Sequence, residues 1–301
     1  MTVLLTSVLI ACSLDYTPPK RYAIVYGVSI YQPTYPRNLA YPDLDADAMA
    51  AMFTAEGFDS VEKRISTDPL LARPSKANLI TDLASIAGMA GPNDLVVVYY
   101  SGHGGQFDYQ GATHEWIFPY DSVNASFNID FSKSISDTDL ADMLRVLPTK
   151  RIVVILDSCN SGGLIGGGIE VDAVPPQLYG HSTWSGIITP ATIAQAISNY
   201  ATFTTSDNGG ASPYKALTIA GSGTNESAYE SGAPYNHGIL TYFLLQAPAD
   251  GDLNKDGYVT ALEAFALAKA GIEEQWNPHV LNSEMIFSPH ISGGPIDLVL
   301  F

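Results

Sequence analysis

The sequence predicts an α/β fold, a mostly parallel sheet with helices on both faces. Several short runs are apolar at every position, as strands covered on both faces are, instead of alternating in polarity. Amphipathic stretches of helical length separate those runs, the order that parallel strands with crossover helices require. The chain is also large enough for a full core: 301 residues, 46% hydrophobic and only 15% charged. No internal repeat and no linker divides it, so residues 20–301 are expected to form one domain.

"RYAIVYGVSIY" (21–31) reads as the first buried strand. "DLDADAMAAMFTAEGF" (43–58) reads as a helix that opens with acids, where the positive end of the helix dipole favours them. "SVEKRIS" (60–66) is a short strand, and "SKANLITDLASIAGMA" (75–90) a helix with Ser75 at its N-cap. "DLVVVYYSGHGG" (94–105) is a continuous apolar run that ends in glycines. "SDTDLADMLRVL" (136–147) is a capped helix, followed by a second such run, "RIVVILDSCNSG" (151–162). "KALTIAGSG" (215–223) reads as a strand, and "NHGILTYFLLQA" (236–247) and "TALEAFALAKA" (260–270) as helices. Residues 160–214 carry no Lys or Arg and are rich in Gly, Ser, Thr and Pro. They read as a long loop around one short helix, 189–200, and loops of that length are often functional.

Fourteen basic against 31 acidic side chains give a net charge of −17. Such a surface repels nucleic acid and acidic membranes, so a nucleic-acid partner is not expected. At the N-terminus, "MTVLLTSVLIAC" is apolar from Val3 to Ala11, too short to span a bilayer but the length of a signal-peptide core. "LIAC" (Leu9 to Cys12) resembles a bacterial lipobox, whose cysteine is lipidated. Residues 1–19 are therefore expected to be an export signal and tether. The protein would then sit at the cell envelope and meet the membrane only through a lipid on Cys12. The alternative is a buried N-terminal strand.

With Cys12 consumed by lipid, Cys159 is the one remaining thiol, and a lone thiol in an oxidising compartment is a liability unless it does something. In open parallel sheets ligands bind beyond the carboxyl ends of the strands. One apolar run delivers His103 there and the other delivers Cys159, each among glycines (Gly102, Gly104, Gly105; Gly162, Gly163) that permit sharp turns. A thiolate attacks a carbonyl, an imidazole moves the protons, and backbone N–H groups hold the oxyanion. Either residue alone would more often be structural. Together they point to a cysteine hydrolase whose two groups share an open mouth.

"YYSGHGG" and "DSCNSG" resemble the His and Cys motifs of the caspase-like cysteine peptidases, the metacaspases and their bacterial relatives above all. The order, His before Cys at roughly 50 residues' separation, is that of the same group. "YAIVYGVSIYQ", "DLDADAMAAMF", "WIFPYD", "SGTNESAYE" and "HGILTYFLLQA" extend the resemblance over most of the chain after about residue 20. It implies a caspase-hemoglobinase three-layer α/β/α sandwich with a mostly parallel six-stranded sheet, and a monomer. It implies His103 and Cys159 as the catalytic dyad, with the N–H groups of Gly104 and Cys159 as oxyanion donors and no cofactor for the chemistry. Asn160 departs from the His that many metacaspases have there.

Metacaspases cut after Arg or Lys and hold that side chain with acids. The resemblance puts Asp157, Ser101 and Asp45 in this role, and protein or peptide substrates with Arg or Lys at the cleaved position follow. A carboxylate pairs bidentately with Arg and as a point charge with Lys. The structural alternative for Asp157 is a carboxylate hydrogen-bonded to turn amides. For Asp45 it is an exposed acid near a helix N-terminus, a position that Asp43 and Asp47 share by charge alone. Because 160–214 offers no basic residue, the enzyme is expected to be active as one intact chain, or nicked after Lys215.

"DLNKDGYVTALE" (252–263) satisfies the EF-hand pattern. Its ligands would be Asp252, Asn254, Asp256, the Tyr258 carbonyl, Thr260 and a bidentate Glu263, with Gly257 making the turn. A structural calcium ion is expected; the alternative is a polar turn that caps the next helix. His114, His181, His237, His279 and His290 show no zinc spacing and read as structural or surface residues. Two other functions stay open: a non-catalytic calcium-binding module on the same fold, and a peptidase cutting after Asn or Asp.

Overall fold

The computed structural model describes residues 18–31, 35, 37–109, 112–158, 216–222, 227–280 and 283–301. Its elements begin with β1 (Arg21–Gly27), α1 (Pro42–Ala55), β2 (Ser60–Ile65), α2 (Lys76–Ala87) and β3 (Leu95–Ser101). Next come β4 (Gly104–Tyr109), β5 (Ala112–Ile117), β6 (Ile135–Ser136), α3 (Asp137–Leu144) and β7 (Arg151–Asp157). After the gap follow β8 (Leu217–Ala220), β9 (Glu230–Ser231), β10 (His237–Gly238), α4 (Ile239–Leu244), α5 (Ala247–Asp250), α6 (Ala261–Gly271) and β11 (His290–Ser292).

Six strands form the central sheet in the order β11-β8-β7-β3-β1-β2. All pairs are parallel except β8 with the edge strand β11. Because side chains alternate across a strand, the sheet feeds two cores. Ala23 and Val25 of β1 pack on one face with Ala46, Met49 and Phe53 of α1 and with Phe243 of α4 and Phe265 of α6. Tyr22, Ile24 and Tyr26 pack on the other with Leu79, Leu83 and Ile86 of α2 and Leu144 of α3. The three-layer α/β/α sandwich expected from the sequence is what the chain builds.

The same parity places the ends of β3 and β7. Val97 and Tyr99, and on the next strand Val153 and Ile155, face the α1 side. Two residues further on, Ser101 and Asp157 face it too, and they are direct register partners. The sheet thus ends in a serine and an acid side by side beneath the first turn of α1.

Some boundaries differ from the sequence reading. β1 ends at Gly27 instead of running to 31, because the amides after Val28 leave the ladder for side chains. Ser29 N–H donates to Asp43 Oδ1, Ile30 N–H to Ser66 Oγ and Tyr31 N–H to Asn38 Oδ1. The helix expected over 236–247 starts only at Ile239, since His237 and Gly238 pair with Ser231 and Glu230 as a short antiparallel ribbon. The hairpin β4–β5 and the three-residue β11 were not expected at all. Ser75 caps α2 as read, accepting from Asn78 N–H at 3.1 Å, and α3 opens on a capping box between Ser136 and Asp139. Residues 1–17 with Cys12, and the expected loop with its helix at 189–200, lie outside the described residues. Among the described residues no helix is long and apolar enough to cross a membrane.

Candidate active site

At the carboxyl end of the sheet is a small pocket, partly open to solvent, whose lining includes Asp45, Ser101, Gly102, Asp157, Glu230 and Gly238. The three residues expected to hold substrate therefore meet in one place. Asp45 is fully buried, not the exposed helix-end acid that charge alone allows. Its Oδ2 accepts from Ser101 Oγ at 2.8 Å and its Oδ1 from His237 Nδ1 at 2.7 Å, while Gly238 N–H bridges both oxygens at 3.1 and 3.2 Å. Asp43 turns instead to Ser29, Ser66 and Thr67, and Asp47 pairs with Lys63 at the surface. Asp157 Oδ2 accepts from Thr241 N–H at 3.0 Å and from Thr241 Oγ1 at 2.6 Å. The amide that Asp157 accepts from belongs to the first turn of α4, not to a turn as the structural alternative had it, and the same residue lines the pocket.

Burial pushes the Asp45 carboxyl above the usual range, opposed by its bonds to His237, Ser101 and Gly238. Burial, with the charges of Asp45 and Asp157, also holds the Tyr99 hydroxyl well above its ordinary value. Tyr99 OH meets Thr241 Oγ1 at 2.6 Å, so it belongs to the same polar cluster. Gly238 separates the two acids: a β-carbon there would fall within 3.0 Å of both Asp157 Oδ2 and Asp45 Oδ2.

His103 follows Gly102, which lines the pocket, but its imidazole is not part of the lining. The ring is not at an open mouth; it is 1% exposed. It lies 4.9 Å from the Tyr31 ring and edge-on to Tyr35 at 6.3 Å. Nε2 contacts the Arg37 carbonyl at 2.5 Å. A carbonyl only accepts, so Nε2 carries the hydrogen and Nδ1 is the basic nitrogen of the neutral ring. The backbone is equally fixed: His103 N–H donates to Tyr31 OH at 2.6 Å, and Tyr100 OH donates to His103 O at 2.9 Å. Phe118 N–H also donates to His103 O. That bond makes Gly104 and Ile117 a non-hydrogen-bonded pair of the ladder, so Gly104 N–H points away from β5. β4 is the edge of its three-stranded sheet, and this amide faces outward from it.

Cys159, Asn160, Gly162 and Gly163 lie outside the described residues. Ser158, the last described residue before Cys159, is buried at the end of β7, next to β3. Reading the sequence missed Glu230, Gly238, Thr241 and the role of His237. Glu230 takes the amides of Ala40 at 2.9 Å and Tyr41 at 3.0 Å, fixing the entry to α1. A glycine within an apparent helix was the available signal for 237–238; Glu230 offered none.

The 252–263 loop turns with Lys255 at φ 64° and Gly257 at φ 89°. Its offered donors are all oxygens, as calcium requires. Asp252 Oδ1 and Oδ2 accept from the amides of Asp256 and Gly257. Glu263 caps α6 through Thr260 and reaches Asn254 N–H at 3.3 Å. Among the described residues no three His, Cys, Asp or Glu side chains gather as a metal site.

Metacaspase-1A of Neurospora crassa is 34% identical over 105 residues, which are 33% of this chain and 22% of that one. The matched stretch is thus under a quarter of the relative's length. Protein GSU0716 from Geobacter sulfurreducens superposes with a TM-score of 0.55 at 18% identity, covering 92% of this chain and 94% of the other. Caspase-1 from Spodoptera frugiperda does so at 0.51 and 10% identity, covering 91% and 86%. The model of the caspase domain, peptidase family C14, matches residues 20–270, and the chain belongs to that family.

Proposed function

We propose that the protein is a cysteine endopeptidase that cleaves after Arg or Lys, with Cys159 as nucleophile and His103 as acid and base. The observation that carries this reading is the acid pocket at the carboxyl end of the sheet, one residue from His103 along the chain. It brings Asp45, Ser101 and Asp157 together, with Glu230 as a third acid and no Lys or Arg among the described residues that line it. A guanidinium or ammonium group is the natural occupant. His103 Nδ1 takes the thiol proton and returns it to the leaving amine. The Arg37 carbonyl keeps the ring oriented and stabilises the imidazolium, and Gly104 N–H holds the oxyanion. Water then releases the acyl group from sulfur. A peptide that reaches the imidazole must part Tyr31 and Tyr35 from it.

The test is a panel of fluorogenic peptides with Arg, Lys, Asn or Asp at the cleaved position. Arg and Lys peptides should be hydrolysed, and Cys159→Ala and His103→Ala should each lower kcat/KM roughly a thousandfold or more. Preference for Asp or Asn, or an unaffected Cys159→Ala variant, would overturn the reading.

The proposal extends to a structural calcium ion held by Asp252, Asn254, Asp256, Tyr258 O, Thr260 and Glu263. The loop's all-oxygen donor set supports it; calcium there would cross-link the loop to α6. A lipid on Cys12 at the cell envelope is proposed on "LIAC" alone, and loss of radiolabelled palmitate from Cys12→Ala tests it.

A further inference from the structure

The acid pocket holds its own titratable partner. His237 Nδ1 stands 2.7 Å from Asp45 Oδ1, and its side chain is 21% exposed where that of Asp45 is 1% exposed. A proton from solvent therefore reaches the pair through the imidazole, on the far side of Asp45 from Ser101. The ribbon fixes this contact: His237 pairs with Ser231 and Gly238 with Glu230, and Gly238 N–H then binds the same carboxylate.

We propose that His237 is a positioning residue of the basic-residue pocket and makes its grip pH-dependent. A proton taken up by the His237–Asp45 pair removes one negative charge and weakens binding of a guanidinium or ammonium side chain. The inference rests on the pocket reading above and adds its regulation.

The charges that face the pair come from every neighbouring element. α1 supplies Asp45, β7 supplies Asp157, and β9 supplies Glu230, whose carboxylate serves Ala40 and Tyr41. β3 adds the hydroxyls of Ser101 and Tyr99, and α4 adds Thr241. With a neutral imidazole the pair carries a charge of −1. With one more proton it carries none, whichever partner holds that proton, so the argument does not depend on how the two share it. Histidine ordinarily changes charge between roughly pH 5 and 8. At a buried site one unit of charge next to a cationic guest changes affinity by about tenfold or more.

The experiment is calorimetric binding of agmatine, a small guanidinium compound, to the full chain from pH 5 to 8.5. It is run in buffers of different ionisation enthalpy and repeated on His237→Asn, whose amide replaces the Nδ1 donor without titrating. Wild-type affinity should fall at least about tenfold on acidification, with at least about half a proton released per agmatine where affinity changes most steeply and none at the alkaline end. His237→Asn should bind with little pH dependence. With Arg peptides KM of the wild type should rise on acidification, and this limb should vanish from KM in the variant while any acid limb in kcat stays. An equal pH dependence in both proteins, or wild-type binding without proton release, overturns the role of His237 and leaves the pocket reading intact. No agmatine binding at any pH overturns the pocket reading, and this inference with it. The proton count comes from the wild type alone, so a variant that fails to fold does not remove the test.

Discussion

Gly238 presses against the carboxylate of Asp157 with no room for a β-carbon between them. Its own N–H is committed to Asp45, so the residue both separates and orients the two buried acids. In Gly238→Ala the methyl group must drive one carboxylate aside. We expect a loss of about 1–3 kcal/mol in stability from overpacking, read by urea denaturation. KM for Arg peptides should rise at least about tenfold, the scale of one displaced charge partner.

Asp45 carries a stability cost. Its folded-state carboxyl is raised by burial, so between the ordinary Asp value and the raised one the folded chain binds more protons than the unfolded chain. Stability contributed by this group therefore falls as pH rises through that window, and stays lowered above it. Asp45→Asn should raise the melting temperature at neutral pH relative to wild type, and the difference should shrink towards acid. The same variant should bind Arg peptides at least about tenfold more weakly. Calorimetric scans at several pH values, with KM measured at one, check both halves.

Tyr31 supplies the acceptor for the His103 amide. Tyr31→Phe leaves a buried N–H without it, at a cost of about 1–3 kcal/mol. Because the hydroxyl touches the histidine backbone and not the acid pocket, kcat should fall while agmatine affinity is unchanged. Single-turnover kinetics beside a binding isotherm would show the split.

In the 252–263 loop Glu263 has two tasks, the cap on α6 and the bidentate ligand of the proposed calcium site. Glu263→Gln keeps the first, since glutamine also serves in a capping box, and weakens the second. Saturating calcium should raise the wild-type melting temperature by about 5–10 °C and the variant's by far less. Their metal-free melting temperatures should agree. An equal calcium response in both would remove Glu263 from the site.

How much of this could be read from the chain depends on what each residue type reports. β1, β3 and β7 were legible because two-sided burial leaves no charged residue between their ends, and their shared parity carries Ser101 and Asp157 to one face. Asp45 could be told from its neighbours only by helix geometry, since it shares a stripe with Met49 and Phe53 at four-residue spacing. Charge could not make that distinction. The ribbon at His237 and Gly238 was hidden because two residues carry no periodicity, and its partners lie in a segment with no strand pattern. β11 is too short for the same reason, and its antiparallel pairing is a long-range choice no local signal encodes.

The packing of Tyr31 and Tyr35 around His103 also bears on which molecules are turned over quickly. A chromogenic amide of one or two residues has little surface with which to displace the rings. An extended polypeptide gains contacts far from the scissile bond, and these offset the displacement. Specific rate should therefore climb with substrate length, and the resting protein should spare small esters that an uncovered thiol–imidazole pair would consume.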